Sequence, residues 1–311
     1  MMTRRLSRLL VAVMAAAAVP VAFSSLGAQA TRDTSFQVPA DAVIEITMRN
    51  GRLTVRGEDR RTAELRANRI NYELRSSRVG VTLDVNDSNR GRDRRGNNRD
   101  ESDVELIVPR GVRLVINGRS SDVSVANVNG DVEVSLVNGD FEGKVLGGRA
   151  IIETMTGDVR ITDGVGDLRV TTASGDVVAT GVRGSVEADA TSGSITISGE
   201  RLGRIKAGVV SGDIDVTGAL GDDARLQLST HSGEVIVRLP EGAAGQLEAT
   251  TYTGSVRGGT MTMMPPVTRS FSGNGNARLY EFGGGGTARI TATTFSGDIT
   301  IQRGSQPRRR E

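Results

Sequence analysis

From Gly130 onward the chain carries a short, insistent alternation. Glycine stands at 130, 139, 148, 157, 166, 175, 184 and 193, nine residues apart, then at 203, 212 and 221 after one extra residue. Two positions beyond these glycines the residue is apolar, as at Val132, Phe141, Val159, Val177, Ile195 and Ile214. Four positions beyond it is apolar or small, as at Val134, Ile161, Ala179, Ile197 and Val216, and polar residues such as Glu133, Arg160, Glu187 and Thr196 lie between. In-out alternation rich in β-branched residues predicts half-buried strands, one for each nine-residue step.

Alternate glycines differ in their surroundings, so the true repeat is two strands long, about 18 residues. One set follows Ser or Thr and often precedes Asp, as in Thr156-Gly157-Asp158, Ser174-Gly175-Asp176 and Ser211-Gly212-Asp213. The pattern loosens to 21 residues at Ser232-Gly233-Glu234 and Thr253-Gly254-Ser255, and returns at Ser296-Gly297-Asp298. Divergent copies precede it at Asn50-Gly51-Arg52 and Asn117-Gly118-Arg119. A meander with hairpins such as Asn138-Gly139 competes with a solenoid for this pattern. An open sheet of so many strands would have to curl or split, whereas stacked coils bury every inward residue against the opposite wall. The predicted fold is all-β: a single-stranded right-handed parallel β-helix, or β-solenoid, with coils of about 18–21 residues.

Beyond the repeat the pattern marks boundaries. Arg4, Arg5 and Arg8, the apolar run from Leu9 to Phe23 and Ala28-Gln29-Ala30 predict a signal peptide over 1–30, hence export to the periplasm, the cell surface or the medium. The β-solenoid domain is expected over 31–302. Residues 88–100, "SNRGRDRRGNNRD", carry no apolar side chain and predict a flexible Arg-rich loop. An irregular insertion is expected over 260–288 and a disordered basic tail over 303–311. No cysteine occurs, which leaves packing and backbone pairing to hold the fold. Charge changes the picture once the chain is divided. The formal net charge of +2 falls to −1 without the first 30 residues, and residues 101–302 carry 17 basic against 25 acidic side chains. With aromatics at 3%, the contiguous basic and stacking surface that a nucleic acid needs is not expected.

Three residues or groups carry candidate chemistry. Asp140, Asp158, Asp176, Asp213 and Asp298 share one register. Ser194, Glu234 and Ser255 replace Asp within it, so it is read as turn closure by each Asp's own side chain and not as a calcium site. His231, the sole histidine, stands two residues before a repeat glycine. Val137, Met155, Ala173, Thr191, Val210, Tyr252, Phe271 and Phe295 occupy the same register. His231, Tyr252, Phe271 and Phe295 are the candidate binding strip, either packing on one another or meeting sugar rings or a partner. The second candidate surface is Arg90, Arg92, Arg94, Arg95 and Arg99. No catalytic, cofactor or metal residues are assigned. One histidine and no G-x-S-x-G turn argue against a serine triad, and no phosphate-binding glycine loop is present.

The Ser/Thr-Gly-Asp repeats, "VELIVPRGVRLVINGRSSDVSV" (Val104–Val125) and "VRLPEGAAGQLEATTYTGSV" (Val237–Val256) resemble the bacterial adhesin-like family of exported β-helix proteins of unknown function. The resemblance runs from Ala42 to Gln302 and implies the fold; it offers no catalytic motif. The functional expectation is a non-enzymatic module of the cell envelope presenting its surface to a polymer or protein partner, with no cofactor. A polysaccharide lyase or hydrolase built on a β-helix, or an envelope-stress sensor domain, is the alternative.

Overall fold

The structure, a computed structural model, describes residues 32–39, 42–67, 71–77, 80–86, 103–258, 262–263, 276–284 and 286–303. Within them the chain is all-β, with no helix. The first seven strands are β1 (Arg32–Gln37), β2 (Val43–Glu58), β3 (Thr62–Ala67), β4 (Asn71–Ser76), β5 (Gly80–Asn86), β6 (Asp103–Pro109) and β7 (Arg113–Val128). The regular zone holds β8 (Val132–Asn138), β9 (Phe141–Leu146), β10 (Ala150–Thr156), β11 (Val159–Thr162), β12 (Val165–Ser174), β13 (Val177–Thr180), β14 (Arg183–Ser192), β15 (Ile195–Ser211), β16 (Ile214–Ser232) and β17 (Val235–Leu239). The last six are β18 (Gly245–Thr253), β19 (Val256–Gly258), β20 (Thr262–Met263), β21 (Asn276–Phe282), β22 (Ala288–Ser296) and β23 (Ile299–Arg303).

From β9 to β13 each strand pairs with strands two places away in sequence, whereas β15 and β16 are long enough to enter both ladders, so β14, β15, β16 and β17 also pair consecutively. β10 runs parallel to β8 and β12, with Ala150 opposite Val132 and Leu168. β11 runs parallel to β9 and β13, with Val159 opposite Phe141 and Val177. Because strands come at nine-residue intervals, the chain alternates between two parallel ladders, and equivalent residues of successive repeats face each other. The inward columns are apolar and, apart from Phe141, aliphatic: Val132, Ala150, Leu168, Val186 and Ile205 on one ladder, Phe141, Val159, Val177, Ile195 and Ile214 on the other, all buried. Each such Val, Ile or Leu gains roughly 1.5–3 kcal/mol from leaving water, which sustains the core without disulfides.

The stack does not follow chain order throughout. At the N-terminal end β2 pairs with β7 on one side and with β5 and β6 on the other, so two later strands lie outside it. At the C-terminal end β22 lies between β16 and β18, and β23 between β17 and β19. The last repeat in sequence is therefore inserted, and the stacked coils do not follow chain order at either end. Both ends then close with antiparallel strands: β4 on β5, β3 on β6 and β1 on β3 at one, β21 on β18 at the other. The sheet is accordingly mixed. The stretch read as an irregular insertion over 260–288 contains β21, whose alternating Tyr280 and Phe282 are buried against the core. An uncovered strand edge templates aggregation, and these non-repetitive strands cover two of them.

Candidate interaction surface

The Ser/Thr-Gly-Asp corner is built by backbone approach. Gly175 has φ +138°, and a Cβ on it would sit 2.0 Å from the carbonyl oxygen of Gly157 in the neighbouring repeat. Glycine is needed both for the left-handed conformation and for the spacing of the stack.

The aspartates that follow do more than finish their own turns. Asp140 Oδ1 accepts the amide N–H of Asp158 at 2.8 Å, Asp158 Oδ1 that of Asp176 at 3.0 Å, and Asp176 Oδ1 that of Ser194 at 2.8 Å. The same bond links Asp213 to Glu234 and Asp298 to Ser255, each at 2.8 Å. Each carboxylate thus ties one repeat to the next, which corrects the reading of turn closure within a repeat. It also explains the tolerated Ser and Glu: the acceptor is needed on one side of each junction only. The amide of Asp176, aided by Arg160, holds the Asp158 carboxyl below the usual carboxylate range. The amide and hydroxyl of Ser255 do the same for Asp298.

Two residues before each corner glycine the side chain points outward. Among the described residues seven large apolar side chains are exposed, and they include Val137, Met155, Val210, Phe295 and Tyr252, at 41%, 60%, 52%, 48% and 56%. Five of those seven thus fall in a single column. At the C-terminal end it becomes a ring stack, in which His231 lies on Phe295 at 4.9 Å and 11° and Phe295 on Tyr252 at 5.2 Å and 25°. These separations follow the strand spacing of roughly 4.8 Å. Phe295 is sandwiched because β22 is inserted between β16 and β18, so the spatial order is His231, Phe295, Tyr252. The inner ring faces are covered by one another, and the strip offers ring edges and the methyls of Val210 to anything that docks.

Phe271 and the five arginines Arg90, Arg92, Arg94, Arg95 and Arg99 lie outside the described residues, as do residues 1–30 and 304–311. Among the described residues no group of three or more His, Asp or Glu is arranged to hold a metal ion, and no helix is long and apolar enough to cross a membrane.

Two interlocked parallel ladders with glycine corners and a column of exposed apolar side chains define an all-β repeat protein. The chain belongs to the Toastrack DUF4097 family, whose profile matches residues 42–302. It is similar in structure to a "putative adhesin" from Bacteroides fragilis, at 12% identity and a TM-score of 0.48, over 89% of this chain and 99% of that one. It is also similar to a "putative cell adhesion protein" from Clostridium sporogenes, at 10% identity and a TM-score of 0.25, over 88% and 100% of the two chains. No curated protein matches the sequence.

Proposed function

We propose that the protein is an exported, non-enzymatic interaction module of the cell envelope that presents its repeat surface to a polymer or protein partner. In this reading the two ladders wind as one right-handed β-helix, the hand that strand–crossover–strand connections take in about 98% of cases. The observation that carries the reading is the column at the glycine corners: soluble surfaces rarely align exposed large apolar side chains, and such alignment marks contact sites. Arg90, Arg92, Arg94, Arg95 and Arg99 supply a second, cationic contact. Asp158 and Asp298 are stabilised as anions by amides, so neither suits the role of a general acid, which needs its pKa raised toward the working pH.

The test is capture of cell-envelope material on the immobilised protein, beside incubation with a panel of polysaccharides. We expect capture without release of reducing or unsaturated ends. A V210S/F295S/Y252S variant is expected to bind at least about tenfold more weakly, the loss of one well-buried anchor or more. Release of ends would sink the non-enzymatic reading, and undiminished capture by the variant would remove the column from it.

A further inference from the structure

A second feature lies on the outer face of the ladder formed by β10, β12, β14, β15 and β16. A shallow cleft of about 540 Å³ opens there. Its lining includes Arg149, Arg169, Arg204, Lys206 and Arg225 against only Asp167 and Glu187. The excess is local: the surrounding residues 101–302 are acidic, with 17 basic and 25 acidic side chains.

Register concentrates this charge. Arg204 on β15 stands opposite Arg225 on β16, and Arg225 opposite Arg289 on β22. Three arginines thus form one column at strand spacing, about 4.8 Å per step. All three are exposed. Among the ion pairs of the described residues none involves Arg204, Arg225, Arg289 or Arg149. Glu187 is already engaged, 2.6 Å from Lys206 and 3.6 Å from Arg169. Lys206 holds its pKa above the ordinary lysine range through that contact. Like charges directly across strands destabilise a sheet. The column lies inside the ladder, with strands on both sides, so it does not serve as edge protection. An in-register row of unmatched guanidinium groups is best explained by an anion that matches it from outside.

We propose that this cleft binds an acidic polysaccharide, its carboxylates gripped through paired N–H donors by Arg204 and Arg225 of the lining and by Arg289, which continues their column beyond it. The proposal rests on the interaction-module reading and gives it a ligand class. Uncharged hydrogen-bonding groups in the cleft and the lack of rings favour a glycan over a nucleic acid. Ser185 and Gln227 offer hydrogen bonds to hydroxyls, Asp167 accepts from them, and Ile151 gives an apolar patch for C–H faces. The lining contains no aromatic ring on which a base could stack.

The test is affinity electrophoresis of the purified protein in gels containing polygalacturonate, neutral dextran or a single-stranded oligonucleotide. The wild type is compared with R204S/R225S/R289S and with the V210S/F295S/Y252S variant. We expect retardation by polygalacturonate alone, weakened at least about tenfold in the arginine variant and by added salt, since exposed charges are screened. The arginine variant should melt no lower than the wild type, because it relieves repulsion. Equal retardation of the arginine variant, or retardation by the oligonucleotide as strong as by polygalacturonate, overturns the proposal. If polygalacturonate retards none of the three proteins while envelope capture still depends on the apolar column, the cleft assignment falls and the interaction-module reading stands.

Discussion

The regular zone from β8 to β17 and the C-terminal segment from β18 to β23 use the same corner and differ in how the chain reaches it. In the regular zone two residues, Gly181 and Val182, connect β13 to β14, and each repeat settles on the one before. Residues 240–244 connect β17 to β18, and this longer link carries the chain past one repeat height. The space left behind is filled by β22 and β23, which arrive from β21 and complete both ladders. The same corner chemistry therefore serves two assembly orders. The repeat specifies what a neighbour must look like; link length decides which neighbour it is.

Truncation gives the largest expected effect. In a linear stack, removing a terminal repeat costs one interface, but removing an inserted repeat costs two. A chain ending at Gly286 loses β22 and β23, leaving β16 and β17 uncovered and β18 and β19 detached from them. We expect rapid amide exchange in 256–258 and a marked loss of thermal stability, with the strands before β16 still protected. Slow exchange in 256–258, which β23 pairs and β21 does not, would mean that β19 has another partner and that the inserted order is wrong.

A pair of glycine substitutions isolates the close approach of repeats from backbone strain. Gly175 and Gly242 both have positive φ, 138° and 88°, but a Cβ at Gly242 meets nothing within 4 Å. Gly242→Ala should therefore cost only the conformational strain, about 1 kcal/mol. Gly175→Ala adds a carbonyl contact that only separation of two repeats can relieve, and at least about 3 kcal/mol is expected. Chemical denaturation measures both, and equal costs would remove the close approach from the account of the corner.

The sequence makes some of this legible and hides the rest for physical reasons. Period two and the nine-residue glycine spacing are local, so strands, corners and the pairing of Ser174 with Ser192 could be anticipated. Stack order is non-local. Ser232 pairs with Ser296, not with Thr253, and since every repeat offers the same pattern nothing in it ranks the partners. The register that gathers His231, Phe295 and Tyr252 was readable, but not the order in which their rings meet. Arg204, Arg225 and Arg289 sit at unequal intervals along the chain, and only the ladder brings them into line. The bond from Asp158 to the amide of Asp176 was concealed because a turn-closing Asp and a repeat-tying Asp occupy the same place after glycine.

The smallest effect tests whether the corner is chemically the same in both regions. Asp158 and Asp298 both have lowered pKa values in the folded protein, chiefly because each accepts the amide N–H of the next repeat. The stabilisation is fully present above the unfolded aspartate value of about 3.9, and it is lost as pH falls through the lower folded value. Replacement by Asn keeps an acceptor and removes the titration. D158N should lower Tm by no more than about 2 °C at neutral pH. It should also flatten the acid limb of stability below about pH 4. D298N, in the inserted repeat, should flatten it in the same direction. If only D158N does so in thermal melts across that range, Asp298 does not tie its neighbours together, and the inserted repeat is held by its ladders and its aliphatic core alone.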